Sequence, residues 1–153
     1  MRSRSHEVLK SLKSLEDPAN VAGMARFGIS PALAYGVPKP ATAAGGEFVK
    51  RAGFVLMASL AVHDRNRADV DFVGFLVIIE REAGDGRNYV RKAVNWALRQ
   101  IGKRDSSLRL EAVRVAAGLR QAESGSARRV GADALREMES EAVRRRAETR
   151  GAV

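Results

Sequence analysis

The sequence predicts an all-α protein built as a short helical-repeat solenoid, and three observations support this fold class. Apolar residues recur at helical spacing along most of the 153 residues. No alternating run rich in β-branched residues competes with that pattern. A ten-residue motif also recurs, at offsets of 41 and then 37 residues.

The helices are predicted from these spacings and from the residues that interrupt them. Two short helices, at 4–15 and 19–27, are joined where Asp17 can cap a helix and Pro18 can take its first position. Six further helices are expected at 47–62, 68–83, 87–102, 106–121, 126–137 and 139–149.

A break in composition separates the two sets of helices. Residues 28–46 hold three of the four prolines and four glycines, which disfavour regular structure. We therefore predict an N-terminal helical pair at 1–36, a Pro/Gly/Ala-rich junction at 37–46 and helical repeats at 47–150.

An internal repeat organises the later helices. The motif "FVKRAGFVLM" at residue 48 matches "YVRKAVNWAL" at residue 89, and a fainter copy, "SARRVGADAL", begins at residue 126. All three copies have basic residues at their third and fourth positions. Helix pairs at this period are typical of HEAT and armadillo-like solenoids, whose pairs bury their apolar faces by stacking on their neighbours. A generic helical bundle with chance similarity is the alternative, because the array is short.

Composition limits the classes of function. The 27 Lys and Arg residues against 18 Asp and Glu give a net charge of +9, which favours an anionic partner. Cysteine is absent and the two histidines make a poor metal set, so we expect no metal and no cofactor. The longest uncharged apolar run, 52–62, is too short to span a bilayer, and the N-terminus lacks an apolar signal region. A cytoplasmic protein without membrane contact is expected.

The helix predicted at 87–102 places Trp96 outside its apolar arc. An exposed aromatic between cations can lie against a sugar or base while the cations hold phosphates; covering the edge of the core is the alternative. Residues 87–109 carry seven basic side chains and one acid, Asp105, so mutual repulsion argues against an ordinary solvated face. The phosphate-binding candidates are Arg91, Lys92, Arg99 and Lys103.

Arg51 is a further candidate, because the helix predicted at 47–62 is apolar almost all round. A guanidinium in such surroundings is costly unless it meets an anion. That anion is either a phosphate, for which the planar guanidinium is well suited, or the carboxylate of Glu80 or Glu82.

Four segments resemble the DNA alkylation repair family, the helical-repeat alkylpurine DNA glycosylases: "NVAGMARFGI", "EFVKRAGFVLMASLAVHD", "FLVIIEREAGDGRNYVRKAVNWALRQIGKRD" and "ARRVGADALRE". The resemblance covers residues 8–36 and 47–140. It implies a curved solenoid whose concave basic face holds duplex DNA and whose active members release N3- or N7-alkylated purines. It also implies that Arg51 and Trp96 occupy the DNA-binding cleft.

The chain departs from the family pattern at the junction. Family chains carry several further helices before the "FVKRA" helix, including a motif similar to Trp followed one turn later by the catalytic Asp. Here Gly36 is followed within about ten residues by Glu47, so that segment is absent. We therefore expect duplex DNA, alkylated or not, as the partner, with weak or lost excision. An active glycosylase and a helical-repeat scaffold for an acidic protein are the alternatives.

Overall fold

The computed structural model of the protein describes residues 43–151, and within this range all regular structure is α-helical. The predicted helical pair at 1–36 and most of the junction lie outside the described residues. The helices, connected by short turns, are α1 (Ala43–His63), α2 (Asp69–Glu82), α3 (Asn88–Gly102), α4 (Ser106–Arg120), α5 (Gly125–Met138) and α6 (Glu141–Gly151).

The helix bounds agree with the predicted ones to within two residues, except at the start of α1. That helix begins at Ala43, four residues before the predicted start, and runs through Gly45 and Gly46. Each glycine inside a helix lowers the stability of that helix by about 1 kcal/mol relative to alanine, so the two glycines were expected to precede the helix. The preceding alanines have the strongest helix propensity of any residue and favour the longer helix.

The six helices form two layers. In the first layer α1 packs against α3 and α3 against α5; in the second, α2 packs against α4 and α4 against α6. The three copies of the sequence motif lie in α1, α3 and α5, so they occupy successive helices of the first layer. This alternation is consistent with the predicted helical-repeat array. None of the described helices is long and apolar enough to cross a membrane.

The hydrophobic core lies between the layers. On α3, the apolar arc predicted from the helical wheel is buried, with the exception of Tyr89, whose side chain is 49% exposed. Phe72 and Phe75 of α2 meet edge to face in this core, with ring centroids 5.8 Å apart. Such aromatic pairs contribute about 0.5–1.5 kcal/mol beyond the area they bury.

Helices α4 and α5 approach each other closely at Gly131. A Cβ atom at this position would lie 2.5 Å from the carbonyl oxygen of Ala116 and 2.6 Å from the backbone nitrogen of Arg120. Only glycine fits between two backbones at this separation, so Gly131 sets the distance between the second and third described repeats.

Candidate nucleic-acid interface

The fourth position of the repeat motif places a cation at the same point of each first-layer helix. These residues are Arg51 on α1, Lys92 on α3 and Arg129 on α5, and all three side chains are exposed. Equivalent positions of stacked repeats face the same direction, so the three cations form a row, which we call the basic row. Packed helices lie about 8–10 Å apart, so the row extends over roughly 20 Å. Among the residues that the structure describes, no carboxylate forms a salt bridge with any of the three.

On α1, the third position of the motif is engaged within the protein. Lys50 is 9% exposed, and its Nζ lies 2.5 Å from Glu82 Oε2 and 3.0 Å from Asp85 Oδ2. The expected apolar surroundings of Arg51 and its alternative pairing with Glu82 were wrong: the buried cation that pairs with Glu82 is Lys50, and Arg51 is exposed. One residue corresponds to about 100° on a helix, which turns Arg51 away from the carboxylates.

The turn between α2 and α3 completes this ionic network. Arg87 Nη2 donates to Asp85 Oδ2 at 2.7 Å. Hydrogen bonding from Arg87 is the main cause that holds the pKa of Asp85 well below its ordinary value, against the opposing effect of burial, and Lys50 adds to the lowering. Arg87 is therefore committed to a structural contact and is not a free cation of the stripe predicted for 87–109.

Trp96 lies at the edge of the first layer, as its position on the wheel predicted, with 38% of its side chain exposed. When the Gln100 amide is oriented to satisfy both donors beside it, its oxygen accepts from Trp96 Nε1 at 3.0 Å and from Lys103 Nζ at 3.2 Å. The indole is thus held at its polar edge and remains partly open to a ligand.

Two cations beside Trp96 share one carboxylate. Arg99 Nη1 lies 2.6 Å and Lys103 Nζ 2.5 Å from the oxygens of Glu137 on α5. Partial burial would raise the pKa of Glu137, but the hydrogen bonds from Lys103 and Arg99 outweigh it and lower the pKa below its ordinary value. The argument that this stripe lacks acidic partners was wrong for Arg99 and Lys103, because the acid comes from another repeat.

The other stripe residues have different surroundings. Arg91 Nη2 contacts Asn88 Oδ1 at 3.3 Å, so it keeps most of its hydrogen-bonding capacity. Arg104 points inward: its side chain is 10% exposed and its guanidinium lies 4.4 Å from the ring centroid of Phe72. The same guanidinium donates to four backbone carbonyls at the end of α1 and in the following turn, those of Ala61, Asp64, Arg65 and Arg67. Arg104 is therefore a structural residue and not part of an exposed basic face.

Sequence reasoning missed three residues on α5 that lie on or beside this face. Arg129 completes the basic row, and the carboxylates of Glu137 and Asp133 contact α3; Asp133 Oδ2 accepts from Asn95 Nδ2 at 3.1 Å. Arg99–Glu137 and Asn95–Asp133 are both separated by 38 residues, close to the second repeat offset. The fainter third motif therefore carried the signal that could have found them.

Among the described residues, no group of three or more His, Asp or Glu side chains is arranged to hold a metal ion. The face combines exposed cations, a partly exposed indole and two paired carboxylates. Chemically, it can neutralise a polyanion and place an aromatic surface against it.

Comparison with known proteins identifies the family. No curated protein and no solved structure gives a significant match to the chain. The family model of the DNA alkylation repair enzyme matches residues 42–138, which is well over half of the chain and includes all three copies of the repeat motif. The chain therefore belongs to the DNA alkylation repair family.

Proposed function

We propose that the protein binds duplex DNA without sequence preference, through the basic row and the face around Trp96. The observation that carries this proposal is the contrast between the two basic positions of the repeat. The third-position cation of α1, Lys50, is buried in an ion network, whereas the fourth position stays exposed on three successive helices. A row of exposed cations without acidic partners among the described residues suits the phosphates of a rod-like polyanion better than it suits a compact acidic partner.

The other candidate residues near the basic row differ in how directly they contact DNA. Arg91 and Lys92 meet phosphates directly, whereas Arg99 and Lys103 reach DNA only by exchanging Glu137 for a phosphate. Trp96 lies against a sugar or base, where aromatic stacking contributes about 1–3 kcal/mol per base in single-strand complexes. The described helices offer no long exposed helix tip for the major groove, so contacts to the phosphate backbone dominate the affinity.

Salt dependence tests this proposal. We expect four phosphate contacts, from Arg51, Arg91, Lys92 and Arg129. A plot of the logarithm of the association constant against the logarithm of the salt concentration should then have a slope of about −3 to −4. Removing one of these side chains should flatten the slope by about one. Arg120→Ala is the matched control, because it removes one exposed cation from the second layer. A slope that is flat, or that Arg120→Ala changes as much as Lys92→Ala does, would exclude the basic row as the DNA contact.

We also propose that excision of alkylpurines is weak or absent. Departure of a cationic alkylpurine leaves positive charge on the sugar ring, which a nearby carboxylate would stabilise. The carboxylates that reach the Trp96 side of α3 belong to Asp133 and Glu137, and both are occupied by contacts to α3. An ion-paired carboxylate offers less negative charge to a sugar.

The alternative, an active glycosylase, has one observation in its favour, since these two carboxylates lie on the face that holds Trp96. Release of N7-methylguanine from duplex DNA should match the no-protein control, because this base is also lost spontaneously. Release well above that control, abolished by Asp133→Asn or by Glu137→Gln, would establish the glycosylase and overturn our proposal.

A further inference from the structure

A cavity of about 640 Å³ lies beside the carboxyl ends of α1 and α3, away from the basic row. Its walls come from the end of α1, the turn into α2, the end of α3 and one side of α6. Small-molecule sites in proteins have volumes of about 300–1,000 Å³, so a ligand of nucleotide size fits this cavity. Six basic residues line it: Arg65, Arg67, Lys103, Arg104, Arg146 and Arg150.

Four of these six cations are engaged by the protein itself. Arg67 pairs with Asp64 and Asp71, Lys103 with Glu137, and Arg104 holds the carbonyls that follow α1. Arg150 Nη1 donates to the carbonyl oxygen of Lys103 at 3.1 Å, beyond the last turn of α3. These contacts satisfy the carbonyl groups at two helix ends, which would otherwise repel an anion.

The remaining two cations, Arg65 and Arg146, are exposed, and neither forms a salt bridge within the described part of the chain. They come from different elements, the turn after α1 and the helix α6, but line the same cavity. Its two acids already have partners. Asp105 caps α4 by accepting from the backbone nitrogen of Leu108 at 2.8 Å, and Asp69 Oδ1 lies 3.9 Å from Arg104 Nε. The cavity therefore retains positive charge that no group of the described chain neutralises.

We propose that this cavity binds the phosphate group of a phosphorylated compound, held between the guanidinium groups of Arg65 and Arg146. A guanidinium binds phosphate through two parallel hydrogen bonds, and two guanidiniums match the charge of a phosphate monoester. Such a group occurs in a free nucleotide-sized molecule and at the phosphorylated end of a DNA strand. The site is separate from the basic row, so it does not depend on duplex binding by that row.

Gln100 links this cavity to Trp96, whose fluorescence can report ligand binding. It lines the cavity and, with its amide oriented to satisfy both neighbouring donors, accepts a hydrogen bond from Trp96, the chain's only tryptophan. A ligand that reorients the Gln100 amide should therefore alter the emission of Trp96, while calorimetry measures binding independently of that residue.

Titration of the full chain with inorganic pyrophosphate tests the proposal. We expect saturable binding by calorimetry and a change in Trp96 emission. The double variant Arg65→Ala/Arg146→Ala should weaken binding at least about tenfold, because it removes both guanidinium groups that hold the phosphate. The matched control is Arg120→Ala/Arg144→Ala, which removes two exposed cations that do not line the cavity. Absence of saturable binding, or equal weakening in the control, would overturn the proposal.

Two further arms identify the source of the phosphate and separate this site from the basic row. Tighter binding of a 5′-phosphorylated duplex than of its unphosphorylated form, lost in the Arg65/Arg146 variant, would assign the strand end. Pyrophosphate binding without any such difference would assign a free small molecule. The triple variant Arg51→Ala/Lys92→Ala/Arg129→Ala should lose duplex affinity and keep pyrophosphate affinity. If it loses both equally, the cavity is not an independent site and the inference fails.

Discussion

Substitution of Gly131 by alanine tests the close approach of α4 and α5. The added Cβ would lie 2.5 Å from the Ala116 oxygen and 2.6 Å from the Arg120 nitrogen, whereas ordinary contacts begin near 3.4 Å. Both contacting atoms belong to the backbone. A change of side-chain rotamer therefore cannot relieve the overlap, and one helix has to move relative to the other.

The magnitude follows from two opposing contributions. Alanine is favoured over glycine in a helix interior by about 0.8–1.0 kcal/mol. Overpacking a well-filled site costs about 1–3 kcal/mol, and the upper end applies here because the obstacle is backbone. Gly131→Ala should therefore destabilise the fold by about 2 kcal/mol. The matched control is Gly74→Ala on α2, where a Cβ meets nothing within 4 Å, so only the propensity gain of about 1 kcal/mol remains.

Urea unfolding followed by far-ultraviolet circular dichroism measures both effects on one scale. The two variants should shift the unfolding midpoint in opposite directions at unchanged m value, and their free energies of unfolding should differ by about 3 kcal/mol. Equal stabilisation by the two alanines would show that α4 and α5 are farther apart than described here, and the reasoning from Gly131 would be refuted.

Four further outcomes are expected. Lys50→Met should lower the free energy of unfolding by about 2–4 kcal/mol, because the partly buried carboxylate of Glu82 loses its cation and Asp85 keeps only Arg87. Arg51→Met should change that free energy by less than about 0.5 kcal/mol while weakening duplex binding. If Arg51→Met and Lys50→Met lowered stability equally, the assignment of Lys50 as the buried cation and Arg51 as the exposed one would be contradicted. The folded-state pKa values of Glu137 and Asp85 lie below the ordinary values of 4.5 and 3.8. Both carboxylates therefore stabilise the fold at pH above these ordinary values, and this stabilisation is lost as the pH falls below them. Urea unfolding midpoints measured between pH 6 and 3 should show this decline, and the decline should be less steep in Glu137→Gln. If the midpoint of that variant fell with pH as steeply as that of the unchanged protein, Glu137 would be excluded as a contributor to stability. Duplex DNA should quench the emission of Trp96, and unchanged emission at saturating DNA would place the duplex away from that residue.

Helix periodicity was sufficient to predict the described architecture but not the face on which α1 is buried. The spacing of apolar residues located all six described helices, since amphipathic stripes and polar turns are local properties. Helix α1 is apolar on nearly every side, so its pattern could not distinguish the buried Lys50 from the exposed Arg51. The surrounding helices decide which of two adjacent cations is buried.

Ion pairs between different repeats were the other feature that could not be predicted from the sequence. The sequence around Arg99 and Lys103 has few acids, and this predicted unpaired cations. Their partner, Glu137, lies more than 30 residues away and is brought close only when α5 stacks beside α3. Arg104 likewise belongs by composition to a basic stretch, yet its position just beyond α3 directs it to the carbonyls after α1.

The contacts of Arg104 have a consequence for how the array loses its structure. In a repeat protein, stability is approximately the sum of terms within each repeat and terms between neighbours, so weak coupling allows a terminal repeat to fray alone. Arg104 joins the second described repeat to both helices of the first, through the carbonyls that follow α1 and the ring of Phe72 on α2. The first repeat cannot open without exposing these buried partners. Amide hydrogens of α1 and α2 should therefore exchange together with those of α3, as one cooperative unit.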